Sequence, residues 1–295
     1  PWIQHTRRED GKIESDVKQY PYLYGPDLIS DFACDFIEAN KEKPFFLYYP
    51  MALVHCPFDY TPDSEGWEEN NLGSLTYKGN PEYFADMVAY TDKIVGKIID
   101  QLEASGVREN TLIIFTGDNG TDKPIVSMMG DQEVIGSKSI PIEWGTHVPF
   151  VASWPRSIPK GSFNSDLIDF SDMLPTICEA AGIDVPVDPL LTGRSFLPQL
   201  KGEQGEPREW LYCWYHPRGH NDLKIFTRTE QYKLYKSGAF YDVSKDVLEQ
   251  QPLEVSGLGE VAMVAHAQLQ QALAGFEVLE QRHKEVYPDK ERGAK

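Results

Sequence analysis

The sequence predicts an α/β fold: a mostly parallel sheet flanked by helices, followed by a small C-terminal antiparallel sheet with a helix. Three observations predict it. Short apolar, β-branched runs alternate with amphipathic stretches between residues 27 and 153, which is the strand–helix–strand signature. Those runs are continuous, as strands buried on both faces are. Beyond residue 207, several short strand-like runs follow at turn-like spacing, which suits antiparallel neighbours.

Residues 1–26 are polar and aromatic, without a clear period. Asp27 to Glu38 reads as a helix, with Leu28, Phe32 and Phe36 on one stripe and Ile29 and Ile37 beside it. After Lys43-Pro44, Phe45–Tyr49 reads as a buried strand. A loop from Met51 to about Pro81 is long for a compact domain, and such loops often carry function. Tyr83 to Leu102 repeats Phe84, Met87, Val88, Thr91, Ile94, Val95, Ile98 and Leu102 at helical spacing, and Ala104-Ser-Gly106 ends it. Leu112–Thr116 is the next strand. A polar, glycine-containing loop over 117–146 leads to a third strand, Val148–Ser153, stopped by Trp154-Pro155. A helix lies within Leu167–Ala181, with Asp169 or Ser171 as its cap and Gly182 as its stop. The texture then changes, which divides the chain into domains 1–206 and 207–295. Strands at Trp210–Tyr215, Lys224–Arg228, Tyr232–Tyr235 and Ala239–Tyr241 precede a last helix from Val261 to about Gln281.

The 295 residues carry a formal net charge of -18. With no basic excess to displace counterions, nucleic-acid backbone binding is excluded as a main role. A local lysine or a metal still permits an anionic substrate. The four cysteines, Cys34, Cys56, Cys178 and Cys213, form no Cys-x-x-Cys unit, so neither a zinc knuckle nor a redox pair is expected. No apolar run is long enough to span a membrane. The chain opens Pro-Trp-Ile-Gln-His, and its beginning is expected to have been removed or left out.

The chemistry-bearing residues sit in loops entered from apolar strands. Asp118-Asn119 follows the strand at Leu112–Thr116 and precedes Gly120. A carboxylate and an amide oxygen there make a hard-oxygen corner for Ca²⁺ or Mg²⁺; Asp-Asn-Gly is equally a good turn. His55, beyond the strand at Phe45–Tyr49, is suited to bonding an anionic oxygen or supplying a proton, or else to bonding a nearby carbonyl. Lys138, in Gly136-Ser-Lys-Ser139, is suited to stabilising charge on a leaving oxygen, or is an ordinary surface lysine. Glu143 and His147 follow it. Asp118, Asn119, His55 and Lys138 together form a kit for hydrolysing a sulfate or phosphate ester. No Gly-x-Ser-x-Gly elbow or phosphate-cradling glycine loop accompanies them. Trp214-Tyr-His-Pro-Arg218 offers aromatic faces and a cation, as a sulfated ligand would need, or forms a seam between domains.

From about Tyr24 to Leu253 the sequence resembles the later part of a sulfatase, of the arylsulfatase type within the alkaline-phosphatase-like superfamily. The resemblance is carried by Lys43-Pro-Phe-Phe-Leu-Tyr48, His55-Cys-Pro57, Tyr90-Thr-Asp-Lys-Ile-Val-Gly96 and Asn110-Thr-Leu-Ile-Ile-Phe-Thr-Gly-Asp-Asn-Gly120. It continues through Lys138, Glu143 and Val148-Pro149, then Asp172-Met-Leu-Pro-Thr-Ile177, Leu191-Thr-Gly-Arg-Ser195, Gln231-Tyr-Lys-Leu-Tyr235 and Phe240-Tyr-Asp242.

The resemblance implies that Asp118 and Asn119 are calcium ligands, and that His55 and Lys138 hold the sulfate oxygens and the bridging oxygen. It implies a formylglycine nucleophile made in a Cys-x-Pro-x-Arg motif, a sulfated small molecule or sulfated sugar as substrate, and a periplasmic or secreted location. The departures shape the expectation. No such motif occurs, and Cys56-Pro57-Phe58 has the wrong spacing. The family's early aspartate pair and lysine-tryptophan-histidine segment are absent, and His147 stands where many members have arginine. The chain is therefore expected to be the C-terminal portion of a sulfatase, accompanied by a separate N-terminal chain of the same precursor or cut from it. The alternatives are a phosphodiesterase or phosphonate hydrolase of the same superfamily, and a non-catalytic truncated sulfatase-like protein.

Overall fold

The computed structural model describes residues 2–7, 13–18, 23–68, 73–188, 191–215 and 224–286. The chain divides into two compact units, Pro1–Thr111 with Pro124–Ser127, and Leu112–Lys123 with Met128–Lys295. The boundary read from composition near 206 falls inside the second unit.

In the first unit, β1 (Trp2–Arg7) and β2 (Ile13–Lys18) pair antiparallel, Trp2 opposite Lys18, in a stretch where the sequence shows no clear period. Helix α1 (Gly25–Asn40) starts with Pro26, whose fixed φ suits a first turn, and has Asp27 at its positive end. Its buried residues are Ser30, Ala33 and Ile37. The predicted stripe through Phe32 is displaced, and Phe32 is 43% exposed. The reason lies in its partner α2 (Phe84–Ala104), which buries Met87, Tyr90, Thr91, Ile94 and Leu102. Small residues let the two helices approach, and polar links set their rotation. Tyr90 Oη donates to the Asp27 carboxylate at 2.8 Å, and Lys97 Nζ donates to Ser30 Oγ at 2.9 Å.

Residues 45–49 do not form the predicted buried strand. They belong to no ladder among the described residues, and Phe46 and Tyr48 are exposed. The loop after them builds its own core, in which Cys56 and Phe58 pack with Met87 and Ile125, and the Phe84 ring meets Phe58 edge-on at 5.7 Å.

In the second unit lies β3 (Ile113–Thr116). The chain passes β4 (Val126–Met129) and β5 (Gln132–Ile135), which form a two-stranded sheet, then the single-turn helix α3 (Glu143–Thr146), and reaches β6 (Phe150–Ser153). Strands β3 and β6 pair antiparallel, Ile113 opposite Ser153 and Thr116 opposite Phe150. The predicted parallel sheet is corrected by this register. A parallel return needs a crossover element that carries the chain back to the starting end of the first strand. The connection here, residues 117–149, instead begins and ends at the end where β3 stops, with Gly117 N donating to Pro149 O at 3.3 Å. Both strands are also less enclosed than predicted, and Val151 is exposed.

Helix α4 (Met173–Ala181) follows a reciprocal cap: Asp169 accepts from Ser171 N at 2.7 Å, and Asp172 accepts from Asp169 N at 3.0 Å. After α5 (Leu197–Leu200) come β7 (Leu211–Tyr215), β8 (Lys224–Arg228), β9 (Tyr232–Tyr235) and β10 (Phe240–Asp242). They form the predicted antiparallel sheet in the order β10-β9-β8-β7. Helix α6 (Glu260–Val286) covers it with Ala262, Ala265 and Leu269 packed on Tyr232, Leu234 and Phe240. Of the Trp214–Arg218 stretch, residues 216–218 lie outside the described residues. Among the described residues, no helix is long and apolar enough to cross a membrane.

Candidate functional site

Three loop segments of the second unit are fastened together at the end of β3. Gly120 N donates to Gly145 O at 3.0 Å, Lys138 N donates to Thr121 O at 2.9 Å, and Gly117 N donates to Pro149 O at 3.3 Å. The approach requires glycine. A Cβ on Gly120 would run into the Trp144 carbonyl, and one on Gly145 into the Ile140 carbonyl. This fastening joins Lys138 to the loop that carries Asp118 and Asn119. Ser139, beside Lys138, holds a left-handed φ of 71°, a conformation costly for a residue with a side chain.

Asp118 is exposed, while Asn119 and Lys138 are half-buried. Among the described residues, none of these three side chains has a hydrogen-bond or ion-pair partner. Their neighbours differ in this respect. Glu143 is bonded by Arg228 and, at 2.7 Å, by His147 Nδ1. Burial alone would raise the Glu143 carboxyl, but the His147 hydrogen bond and the Arg228 charge outweigh it and hold it near 2. The same carboxylate raises the His147 imidazole above its ordinary value, against the effect of burial.

These shifts define a pH window. A depressed carboxyl contributes stability that is complete above its unfolded value, about 4.3, and is lost as pH falls through the folded value near 2. A raised imidazole contributes stability that is complete below its unfolded value, about 6.5, and is lost as pH rises through the folded one. The segment Glu143–His147 is therefore expected to be best protected between about pH 5 and 6.5. Amide exchange at His147, corrected for intrinsic rates, checks this; protection rising steadily from pH 6 to 9 would contradict it.

His55 belongs to the first unit. It is exposed, and its Nδ1 lies 2.6 Å from the Cys56 carbonyl. A carbonyl only accepts, so Nδ1 carries the proton in that bond. Nε2 is then the nitrogen that can face a ligand, and it donates to an anion only when the ring is protonated.

Calcium takes roughly six to eight oxygen ligands. Asp118 and Asn119 bring one carboxylate and one amide oxygen, short of that number. Among the described residues, no group of three or more His, Cys, Asp or Glu side chains comes together to hold a metal.

The sequence reading missed the ionic network behind the site. Lys233 and Glu249 pair at 2.7 Å with side chains 1% and 5% exposed, and Lys233 also donates to the Pro141 carbonyl. No sequence signal points to it, because a lysine between Tyr232 and Leu234 is the alternation that an exposed strand face also shows. Asp172 and Arg208 form a second buried pair. A groove of about 440 Å³ lies elsewhere in this unit, lined by Glu209, Trp210, Gln268 and Phe276 among others.

Comparison with known proteins identifies the architecture. The family model described as Sulfatase matches residues 9–183, and the model described as N-sulphoglucosamine sulphohydrolase, C-terminal, matches residues 137–276. The chain belongs to the sulfatase family. The uncharacterized sulfatase YdeN of Escherichia coli (strain K12) is 33% identical over 222 residues, covering 72% of this chain and 38% of that protein. An arylsulfatase of Hemicentrotus pulcherrimus is 28% identical over 228 residues, covering 76% of this chain and 38% of that protein. The chain thus spans about two fifths of the length of the curated relatives it matches. Among solved structures, PsFucS1 sulfatase from Pseudoalteromonas sp. aligns with TM-score 0.66 at 20% identity, over 96% of this chain and 58% of that one. BT4656 in complex with D-glucosamine-2-N,6-O-disulfate aligns with TM-score 0.61 at 20% identity, over 96% and 74%. These matches share the fold.

One expectation is overturned here. The chain was expected to be the C-terminal portion of a sulfatase. The Sulfatase model matches residues 9–183, well ahead of the stretch 137–276 that the C-terminal model matches, so the chain carries Sulfatase-domain sequence and is not confined to the family's C-terminal portion.

Proposed function

We propose that this chain serves the hydrolysis of sulfate monoesters, with a sulfated sugar as the substrate class, and that Lys138, Asp118, Asn119 and His55 are its site residues. One observation carries the reading. Lys138, Asp118 and Asn119 lie on loops fastened together at the end of β3, and all three side chains lack partners among the described residues, while the charged groups behind them are paired. A half-buried lysine without a partner, on a loop fastened to the one that carries two oxygen-bearing side chains without partners, suits an anion held next to a cation. Sugar as the carrier of the sulfate is supported by the fold shared with BT4656, whose structure contains a sulfated glucosamine.

Each residue has a role that its chemistry supports. Lys138 neutralises a sulfate oxygen and favours charge developing on the bridging oxygen. Asp118 and Asn119 hold one corner of a calcium shell. Calcium, when bound, would polarise the sulfate oxygens and withdraw charge as the ester opens. His55, in the first unit, keeps Nε2 available for an anionic oxygen because its Nδ1 is taken by the Cys56 carbonyl. The 295 residues contain no Cys- or Ser-x-Pro-x-Arg, so formylglycine does not fit the residues present and no step is written through it.

The test is calorimetric titration of the chain, in excess calcium, with glucosamine 6-sulfate and with glucosamine. The reading expects saturable binding of the sulfated sugar that weakens when calcium is chelated, and no measurable binding of glucosamine. Equal affinity for the two sugars would overturn it.

A further inference from the structure

Arg228 on β8 and Lys233 on β9 stand directly opposite each other in the ladder. Like charges in that relation repel and destabilise a sheet. Burying an ammonium costs heavily as well, and Lys233 is 1% exposed on the face opposite the apolar cluster of Tyr232 and Leu234. Both cations nevertheless reach the same short segment. Lys233 Nζ donates to the Pro141 carbonyl and to Glu249 Oε1 at 2.7 Å. Arg228 pairs with the Glu143 carboxylate. Tyr235 Oη donates to Glu249 Oε2 at 2.5 Å and lies 3.1 Å from the Pro141 carbonyl, so Glu249 is held against the lysine. The Lys233 ammonium lies 3.9 Å from the Phe226 ring centroid.

The segment these cations hold is the one that follows Lys138. Its other attachments are Lys138 N to Thr121 O and Gly145 O to Gly120 N, which join it to the loop of Asp118 and Asn119. Between Lys138 and Pro141 lies Ser139, in its left-handed conformation. Such a turn persists only where the surroundings over-determine it, and the two cations supply that constraint from the C-terminal side.

We propose that Arg228 and Lys233, with Glu249 and Tyr235 behind them, form a two-point clamp on Pro141 and Glu143 that positions Lys138 at the Asp118–Asn119 loop. These are positioning residues, and the assignment rests on the reading of Lys138 as the sulfate-facing cation. The clamp accounts for two costly features together: a like-charge cross-strand pair, and a buried lysine whose hydrogen bond goes to a loop carbonyl.

Amide exchange and calorimetry on the full chain test this. The variant Lys233→Met with Glu249→Gln removes both buried charges, so no orphaned ion unfolds the sheet. Arg228→Gln is the second variant, should the first fail to fold. The clamp predicts that exchange at Lys138, Gly145 and Gly120 speeds up by about tenfold or more, while Leu234 and the amides of α6 keep their protection. It also predicts an affinity for glucosamine 6-sulfate at least about fivefold weaker, below the tenfold that 1.4 kcal/mol represents. Unchanged exchange at Lys138 and Gly145 in a folded variant would overturn the clamp, as would a uniform rise across the unit, which a merely structural role would give. Lys138→Ala, run alongside, separates the two claims. If it leaves binding intact, the reading of Lys138 fails, whatever exchange shows. If it abolishes binding while the clamp variants leave exchange and affinity untouched, only the clamp fails.

Discussion

Replacing Asp172 with alanine is expected to cost the second unit about 3–5 kcal/mol, the scale for breaking one half of a buried ion pair. Asp172 is 1% exposed, and its partner Arg208 has a side chain 7% exposed. The carboxylate accepts from Arg208 Nε at 2.8 Å, from Arg194 N at 2.8 Å and from Asp169 N at 3.0 Å. Its loss leaves a buried guanidinium with only the Asp169 charge nearby and strands two backbone donors, each of which carries its own desolvation penalty. The same residue ties the turn before α4 to the segment at Arg194 and to Arg208, so three parts of the chain loosen together. Urea unfolding followed by circular dichroism measures the effect, provided different probes give one transition. Asp172→Ala with Arg208→Met should recover much of the loss, because no lone charge remains. A loss below about 1 kcal/mol for the single variant would mean that the pair is not desolvated as described.

Lys138→Ala is expected to weaken binding of glucosamine 6-sulfate by roughly ten- to a hundredfold, the range for losing one charge-assisted hydrogen bond. In any preparation that releases sulfate, kcat should fall by about a hundredfold, as on loss of one oriented electrostatic group. Stability should stay within about 0.5 kcal/mol of the parent, because the ammonium has no partner among the described residues. The separation of the two effects is diagnostic. Unchanged affinity would remove Lys138 from the site, and a large loss of stability would make it a structural residue.

What the sequence made legible follows from what a local pattern can encode. Helix α2 was readable because its apolar residues recur every three or four positions. The sheet β7–β10 was readable from short runs separated by turns, and Leu234 and Phe240 point into its core as the alternation demands. The direction of β6 relative to β3 was not readable. A four-residue apolar run looks the same whichever way its partner lies, and only the intervening chain decides. The face of α1 was misread for a related reason. Phe32 fits an apolar stripe, but Ser30 and Ala33 allow closer packing against α2, and the bonds from Tyr90 and Lys97 fix that rotation. At the candidate site, Asp118 and Asn119 were legible as oxygen donors at a strand end before a glycine. The Glu143–Arg228 and Lys233–Glu249 pairs were not, because an ion pair between residues far apart in sequence leaves no periodic trace.

The most direct test of the central claim is where a sulfated sugar touches the chain. Amide resonances of isotopically labelled protein, followed while glucosamine 6-sulfate is added in excess calcium, report this residue by residue. The expected shifts concentrate at Gly117–Thr121 and Ser137–Ser139 and are absent when glucosamine is added instead. Shifts gathered at the groove lined by Trp210 and Phe276, with residues 117–121 and 137–139 unmoved, would contradict the site.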